Sequence, residues 1–210
     1  GEIHVGVSVD GQTTHFSIVD RDGRAISNTT TMNTGYGSGL VVDGAGFLLN
    51  SQMNDFSAKP GVPNVYGVTG SAANEIAPGK RPLSSMTPTM VYSPAGDLIM
   101  VLGSPGGSTI ISTVLEVIVN VIDYGLPLAE AVDRPRFHHQ WPPLEPEEDV
   151  ILLETDERYD LTSETLAPLL ELGNTLGEIE SLGDVQAVRI EGRLVDGVFD
   201  RRRTGGVVYQ

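Results

Sequence analysis

The sequence predicts an α+β fold of layered, antiparallel sheets, on three observations. Short apolar runs alternate, turn residues join them into local hairpins, and helical periodicity is concentrated in the middle of the chain. Residues 1–12 open with Ile3, Val5, Val7 and Val9 on one side, which reads as a strand. Phe16 and Ile18, then Ala25 to Thr31, read as a hairpin about Asp20-Arg21-Asp22-Gly23. A glycine-rich stretch at 35–39 and a short apolar run, Phe47-Leu48-Leu49, follow. Residues 57–82 are rich in Pro, Gly, Ala and Asn without a period, so a long loop of the lid or binding type is expected there. Residues 88–93 and 97–102 form a second hairpin around Pro94-Ala95-Gly96. A helix is then expected, capped by Ser108 or Thr109 and stopped by Gly125 and Pro127. Its apolar residues Ile111, Val114, Leu115, Ile118, Val121 and Ile122 cover most of its circumference, which predicts a central, buried element. Shorter helices are expected at about Leu128 to Val132 and Ser163 to Leu172, the latter ending at Gly173. A last hairpin, 186–190 and 194–198, turns at Glu191-Gly192-Arg193.

Composition bounds the function. The 210 residues suffice for one core, with 40% apolar and 20% charged residues. Thirteen basic against 28 acidic residues give a net charge of −15, which argues against nucleic acid and anionic membrane surfaces as partners. There is no cysteine, so disulfides, thiolate zinc sites and a cysteine nucleophile are excluded. No apolar run approaches the roughly 20 residues of a membrane helix. Gly1-Glu2-Ile3-His4 lacks the basic-then-apolar pattern of a signal peptide, so any export signal is expected on a segment outside this sequence.

Three runs carry chemistry. Thr13-Thr14-His15-Phe16-Ser17 offers a hydroxyl, Pro82-Leu83-Ser84-Ser85-Met86 a serine pair, and Gly103-Ser104-Pro105-Gly106-Gly107-Ser108 a glycine pair opening a helix. A threonine hydroxyl needs a base to become a nucleophile, and its own α-amine serves if the residue begins a chain, which here requires the Gln12–Thr13 bond to break. Taken alone, a Thr-Thr pair is ordinary strand filler. Two backbone N–H groups at a helix N-terminus can face a developing oxyanion, or simply make a tight strand-to-helix turn. Adjacent serine hydroxyls can bind one carboxylate, or only cap and turn. Other candidates have plainer readings. His138 and His139 point to opposite faces of an extended chain and do not chelate one ion easily, so a structural cluster with Arg136, Phe137 and Trp141 is expected. Glu145, Glu147, Glu148 and Asp149 read as a solvated loop. Asn28-Thr29-Thr30 is a glycosylation sequon on a strand, expected to be unused. His15 is expected to pack structurally.

Read in series with Thr31-Met32-Asn33-Thr34, the run from Gln52 to Asn64, and Pro135-Arg136-Phe137-His138-His139-Gln140-Trp141, these motifs closely resemble the small subunit of γ-glutamyltranspeptidases, members of the N-terminal nucleophile hydrolase superfamily. The resemblance runs from Thr13 to the C-terminus and is strongest up to Trp141. It implies the small-subunit portion of a four-layer αββα sandwich, with residues 1–12 a leader and 13–210 the catalytic subunit. It implies Thr13 as the nucleophile exposed by autocatalytic cleavage and Thr31 as its activating partner. It further implies Gly106 and Gly107 as oxyanion amides, Asn33, Gln52 and Asp55 as the ammonium site, Ser84 and Ser85 as carboxylate ligands, and Tyr66 as a lid. A carboxylate with two amides suits an ammonium. The implied reaction is hydrolysis or transfer of γ-glutamyl groups from glutathione and related donors to water, amino acids or peptides, with no cofactor or metal. The implied partner is a large subunit from the same precursor, expected to supply a cation for the donor's carboxylate, and the implied location is periplasmic or extracellular. Asn50-Ser51 and Asn54-Asp55 depart from the Asn-Asn and Asp-Asp of many relatives, and one extra residue falls near Pro94-Ala95-Gly96. Two alternatives stay open: a glutaryl-type β-lactam acylase of the same fold, which has no ammonium to hold, and an unprocessed, inert binding subunit.

Overall fold

Strand β1 (Thr14–Val19) pairs antiparallel with β2 (Ala25–Thr30). Their turn closes as read, because Asp20 Oδ1 accepts from both Asp22 N and Arg24 N at 2.9 Å. The structure, a computed structural model, describes residues 13–59, 61–64, 66–141, 149–155 and 163–209. The strand expected at 1–12 and the acidic residues Glu145, Glu147 and Glu148 lie outside the described residues.

The second hairpin, β3 (Thr89–Tyr92) and β4 (Leu98–Gly103), forms where expected, and its register shifts between Val91 and Tyr92, beside the extra residue. It joins β8 (Gln186–Glu191) and β9 (Leu194–Phe199) in a four-stranded antiparallel sheet of order β3-β4-β8-β9. The β1–β2 hairpin lies against β4 and β8, where the Ser27 hydroxyl donates to Leu102 O and the Ser17 hydroxyl to Gln186 O. The inner face of this hairpin is thus polar. Its apolar residues Phe16, Ile18 and Ile26 point outward and are exposed. The opposite side of the sheet carries α1 (Ile110–Ile122) and α2 (Leu128–Asp133). Met100, Leu102, Val185 and Ala187 close with Ile110, Val114, Val117 and Leu128 into the main core. Two stacked β layers and one helical layer are three of the four layers expected.

Some expectations need correction. Helix α1 is not buried all round: Ile111, Leu115 and Ile122 are about half exposed (54%, 57% and 49%), because the sheet covers only the Val114–Val117–Val121 face. Thr109 stands at its N-cap position but caps no N–H; its hydroxyl instead donates to Gly106 O. Nor are all sheets antiparallel. β5 (Phe137–His139), β6 (Val150–Glu154) and β7 (Thr175–Ile179) form a third sheet in which β6 and β7 run parallel, with α3 (Ser163–Glu171) in the intervening chain. A parallel pair needs such a long connection, and its strands lack the alternation that betrays an edge hairpin.

This third sheet is tied to the rest by buried charge. The Arg136 guanidinium donates to Asp200 Oδ2 (2.6 Å), Val132 O and Leu182 O, and its backbone N–H to Glu154 Oε2. Arg202 bonds Glu154 and Asp200, while Leu182 N donates to Glu154 and Val185 N to Asp200. Arg136, Asp200 and Glu154 are at most 3% exposed, so each charge depends on the others. His138 and His139 face opposite ways, as expected: His138 is buried with Nδ1 2.9 Å from Ser112 Oγ of α1, and the exposed His139 meets Asp149. Phe137 and Trp141, expected in that cluster, are exposed (53% and 70%). Among the described residues no helix is long and apolar enough to cross a membrane, and no group of His, Asp and Glu is arranged to hold a metal ion.

Candidate active site

The site assembles from the start of β1 upward. Thr13 is buried, and its hydroxyl donates to Thr31 Oγ1 at 3.0 Å. Thr31 follows β2, so the hairpin register alone brings the two threonines opposite. Thr31 Oγ1 also accepts from Asn33 N at 2.9 Å, which fixes the position of the oxygen that Thr13 meets. Asn33 has φ 80°, a conformation no other non-glycine residue adopts among the described residues. It is held there by its side-chain Nδ2, which donates to Ser51 O, and by the Tyr66 hydroxyl, which donates to Asn33 O.

Thr13, Thr31, Asn33, Asp55, Tyr66, Ser84, Ser85 and Gly107 all line one narrow cavity of about 30 Å³. That volume is smaller than a glutamyl group, and the Tyr66 ring forms part of its wall. Asp55 ends a 3₁₀ turn, Gln52–Asp55, and burial pushes its carboxyl above the ordinary carboxylate range, opposed by a hydrogen bond from Asn33. A bound ammonium would reverse that shift. Gln52 does not line the cavity; its amide lies 3.4 Å from Thr31 O and supports the Thr31 backbone. Gly106 also stands outside the lining, next to Gly107, at the turn from β4 into α1. The pair has φ of 141° and 59°, and a Cβ on Gly107 would stand 2.9 Å from the Tyr66 ring, so side chains are barred from both positions. The turn sets the positive end of the α1 dipole beside the cavity.

Sequence reading missed Asn64, Leu83, Met86 and Ile110 in this lining. Asn64 had a signal: its Oδ1 accepts from Tyr66 N (2.9 Å) and Val68 N (3.0 Å), an Asx turn that presents the Tyr66 ring, and Pro-Asn is a turn dipeptide.

A family model described as gamma-glutamyltranspeptidase matches residues 4–210. The chain belongs to the γ-glutamyltranspeptidase family. It is 50% identical over 179 residues to the glutathione hydrolase proenzyme of Escherichia coli K12, covering 85% of this chain and 29% of that protein. It is 48% identical over 195 residues to the glutathione hydrolase proenzyme of Pseudomonas aeruginosa, covering 92% and 34%. The chain thus spans about a third of the length of these curated relatives. A solved gamma-glutamyltranspeptidase from Pseudomonas nitroreducens, complexed with L-DON, superposes with a TM-score of 0.81 at 47% identity, covering 94% of this chain and 100% of that one. The α+β layers described above are therefore those of a γ-glutamyltranspeptidase.

His15, beside Thr13, has a structural place in this family member. It is 4% exposed and lies over Gly103, where any Cβ would meet the ring at 2.3 Å. The Ser17 hydroxyl spends its proton on Gln186 O, so it accepts from His15 Nε2 (3.1 Å), which leaves Nδ1 to accept from Thr29 Oγ1 (2.7 Å). Burial lowers the His15 pKa to about 4 from 6.5, which keeps the ring neutral at neutral pH and Nδ1 unprotonated. A folded-state pKa below the unfolded one means that protonation favours unfolding. The His15 contribution is complete above pH 6.5 and is lost as pH falls toward about 4. Relative to His15→Gln, the parent protein is expected to lose stability over that window with a slope approaching one proton, about 1.4 kcal/mol per pH unit, in denaturant titrations at successive pH values.

Proposed function

We propose that this chain is the catalytic small-subunit portion, residues 13–210, of a γ-glutamyl hydrolase and transferase, with residues 1–12 the leader ahead of its cleavage site. One observation carries the reading. The hydroxyl of Thr13, already bonded to Thr31, shares a single cavity with Asp55, Ser84 and Ser85 and with the glycine turn. Scission ahead of Thr13 frees an α-amine. That amine takes the proton of Thr13 Oγ1 as the oxygen attacks the γ-carbonyl of the donor. The Gly106 and Gly107 amides meet the oxyanion, the proton passes to the leaving amine, and a γ-glutamyl ester remains on Thr13. Water or the amine of an amino acid or peptide then attacks the ester, and the alcohol of Thr13 is restored. Asp55 holds the donor's ammonium with Asn33, Ser84 and Ser85 its carboxylate, and Tyr66 screens the ester from water, which favours transfer to an amine.

The remaining two thirds of the precursor would be the large subunit, the partner needed to complete the donor site. Its cation would balance the donor carboxylate, so this chain alone is expected to bind glutamate poorly. Periplasmic or extracellular location is proposed on family likeness alone and is checked by cell fractionation.

The test is release of nitroaniline from L-γ-glutamyl and glutaryl p-nitroanilides by the complete precursor after maturation. Preference for the γ-glutamyl donor supports the reading; equal or reversed preference favours an acylase, and a chain that stays uncut and inactive favours an inert subunit. Asp55→Ala is expected to lower kcat/KM for the γ-glutamyl donor roughly a hundredfold, mainly through KM, by unpairing the ammonium. The glutaryl donor, with no ammonium, is expected to change little.

A further inference from the structure

The two ends of the proposed donor clamp belong to separate segments. Asp55 closes one 3₁₀ turn, and Ser84 and Ser85 lie in an irregular stretch almost thirty positions later. Neither segment sits on a strand; each has its own apolar anchor, the buried Phe56 next to Asp55 and, next to Ser85, Met86, which packs against the main core. Behind them lies an open cavity of about 770 Å³, which shares Asp55, Asn64 and Leu83 with the smaller one. Phe56 is not part of the cluster that Met86 joins, so a direct tie between the two segments is needed to set the distance between the clamp's two ends.

One side chain spans them. Asn74 Nδ2 donates to Asp55 O at 2.7 Å, and Asn74 Oδ1 accepts from Leu83 N, immediately before Ser84, at 2.9 Å. Its backbone adds a third tie, since Asn74 O accepts from Ser57 N at 2.9 Å. Asn74 is itself held by the 3₁₀ turn Ala72–Asn74, whose N-cap Ser71 accepts from Ala73 N through its hydroxyl and from Asn74 N through its carbonyl. A planar amide is a short, rigid strut with a donor at one corner and an acceptor at the other. No other standard side chain of that length offers both at once.

We propose that Asn74 is a positioning residue that sets the spacing between the ammonium and carboxylate ends of the donor site, and so its selectivity for an α-amino acid head group. It touches neither the donor nor Thr13; it acts through Asp55 and Ser84. The inference rests on the γ-glutamyl reading given above.

The experiment uses the complete, matured protein and three anilide donors: L-γ-glutamyl, glutaryl (no ammonium) and 4-aminobutyryl (no carboxylate). Asn74→Ala is expected to raise KM for the γ-glutamyl donor about tenfold with kcat within about threefold, since the reacting end is untouched. The kcat/KM ratios of the γ-glutamyl donor to each truncated donor should fall by a similar factor. A ratio is independent of the fraction of protein correctly folded, so general destabilisation leaves it unchanged. Asn74→Asp is near-isosteric and guards against misfolding of the alanine variant. It keeps an acceptor for Leu83 N but sets an oxygen against Asp55 O, so the ratio to the glutaryl donor should fall while the ratio to the 4-aminobutyryl donor holds. Ratios within twofold of the parent in both variants, or equal losses for all three donors, overturn the proposal. If the parent protein itself fails to turn over the γ-glutamyl donor, the functional reading fails and the role of Asn74 falls with it. Turnover by the parent with unchanged ratios sinks the role of Asn74 alone.

Discussion

Thr13→Ala is expected to leave the Gln12–Thr13 bond intact and to lower γ-glutamyl turnover by at least about 10⁴-fold. Both effects have one cause. The same oxygen is proposed to open the peptide bond ahead of it and later to carry the glutamyl group, and alanine has no such atom. The loss should exceed that from any change in the clamp, because clamp residues alter binding whereas Thr13 forms the covalent intermediate. Thr13→Ser keeps the oxygen and is expected to retain cleavage and measurable turnover at a reduced rate. The methyl group lost from a buried threonine loosens the rotamer that aims Oγ1 at Thr31 Oγ1, 3.0 Å away. Intact mass of the precursor over time reads cleavage, and anilide release reads turnover. A Thr13→Ala protein that still cuts between 12 and 13 and still acylates would show that another group is the nucleophile.

Asp200→Ala is expected to cost about 3–5 kcal/mol of stability, the largest effect of any single change away from the cavity. Its side chain is fully buried (0% exposed) and receives Arg136, Arg202 and the backbone of Val185 and Arg202. Removing it strands the Arg136 guanidinium, 3% exposed, without its carboxylate. It also frees Val185 N, which anchors the start of β8. Burial by itself would raise the Asp200 carboxyl, but Arg136 and Arg202 beside it hold it below the usual carboxylate range. A depressed folded-state pKa places this contribution at full strength above the unfolded carboxylate pKa, and it is lost as pH falls through the lower folded value. Chemical denaturation of the complete protein at neutral pH checks the loss. Arg201→Ala, at an exposed neighbour, should stay within about 0.5 kcal/mol of the parent.

The same cluster bears on the glycine turn. Leu182 and Val185, tied to Glu154 and Asp200, bracket Gly183 and Asp184, and Asp184 N donates to the buried Ser104 hydroxyl at 2.8 Å. Ser104 stands two residues before Gly106. Asp200 and Arg202 lie beyond Trp141, where the resemblance is weaker. Their partners lie up to 70 positions away, and no periodicity along the chain announces an ion pair of that span.

The amino-acid sequence by itself determined the hairpins β1–β2, β3–β4 and β8–β9 and the helix α1, because turn residues, alternation and helical spacing are local signals that act on neighbours within a few positions. It also marked, through motif order, Thr13, Thr31, Asn33, Asp55, Tyr66, Ser84, Ser85 and Gly107 at the cavity, although Gln52 and Gly106 stand just outside its lining and Asn64, Leu83, Met86 and Ile110 were not singled out. Only the tertiary structure decided the parallel pairing of β6 with β7, the half-exposed flank of α1, and the neutral state of His15. It alone revealed the amide of Asn74 as the link between two loops. In each of these cases the deciding partner comes from a distant part of the chain, and a hydrogen bond or a buried face across such a gap leaves no trace in local composition. It exists only once the layers have closed and water has left the groups that must then satisfy one another.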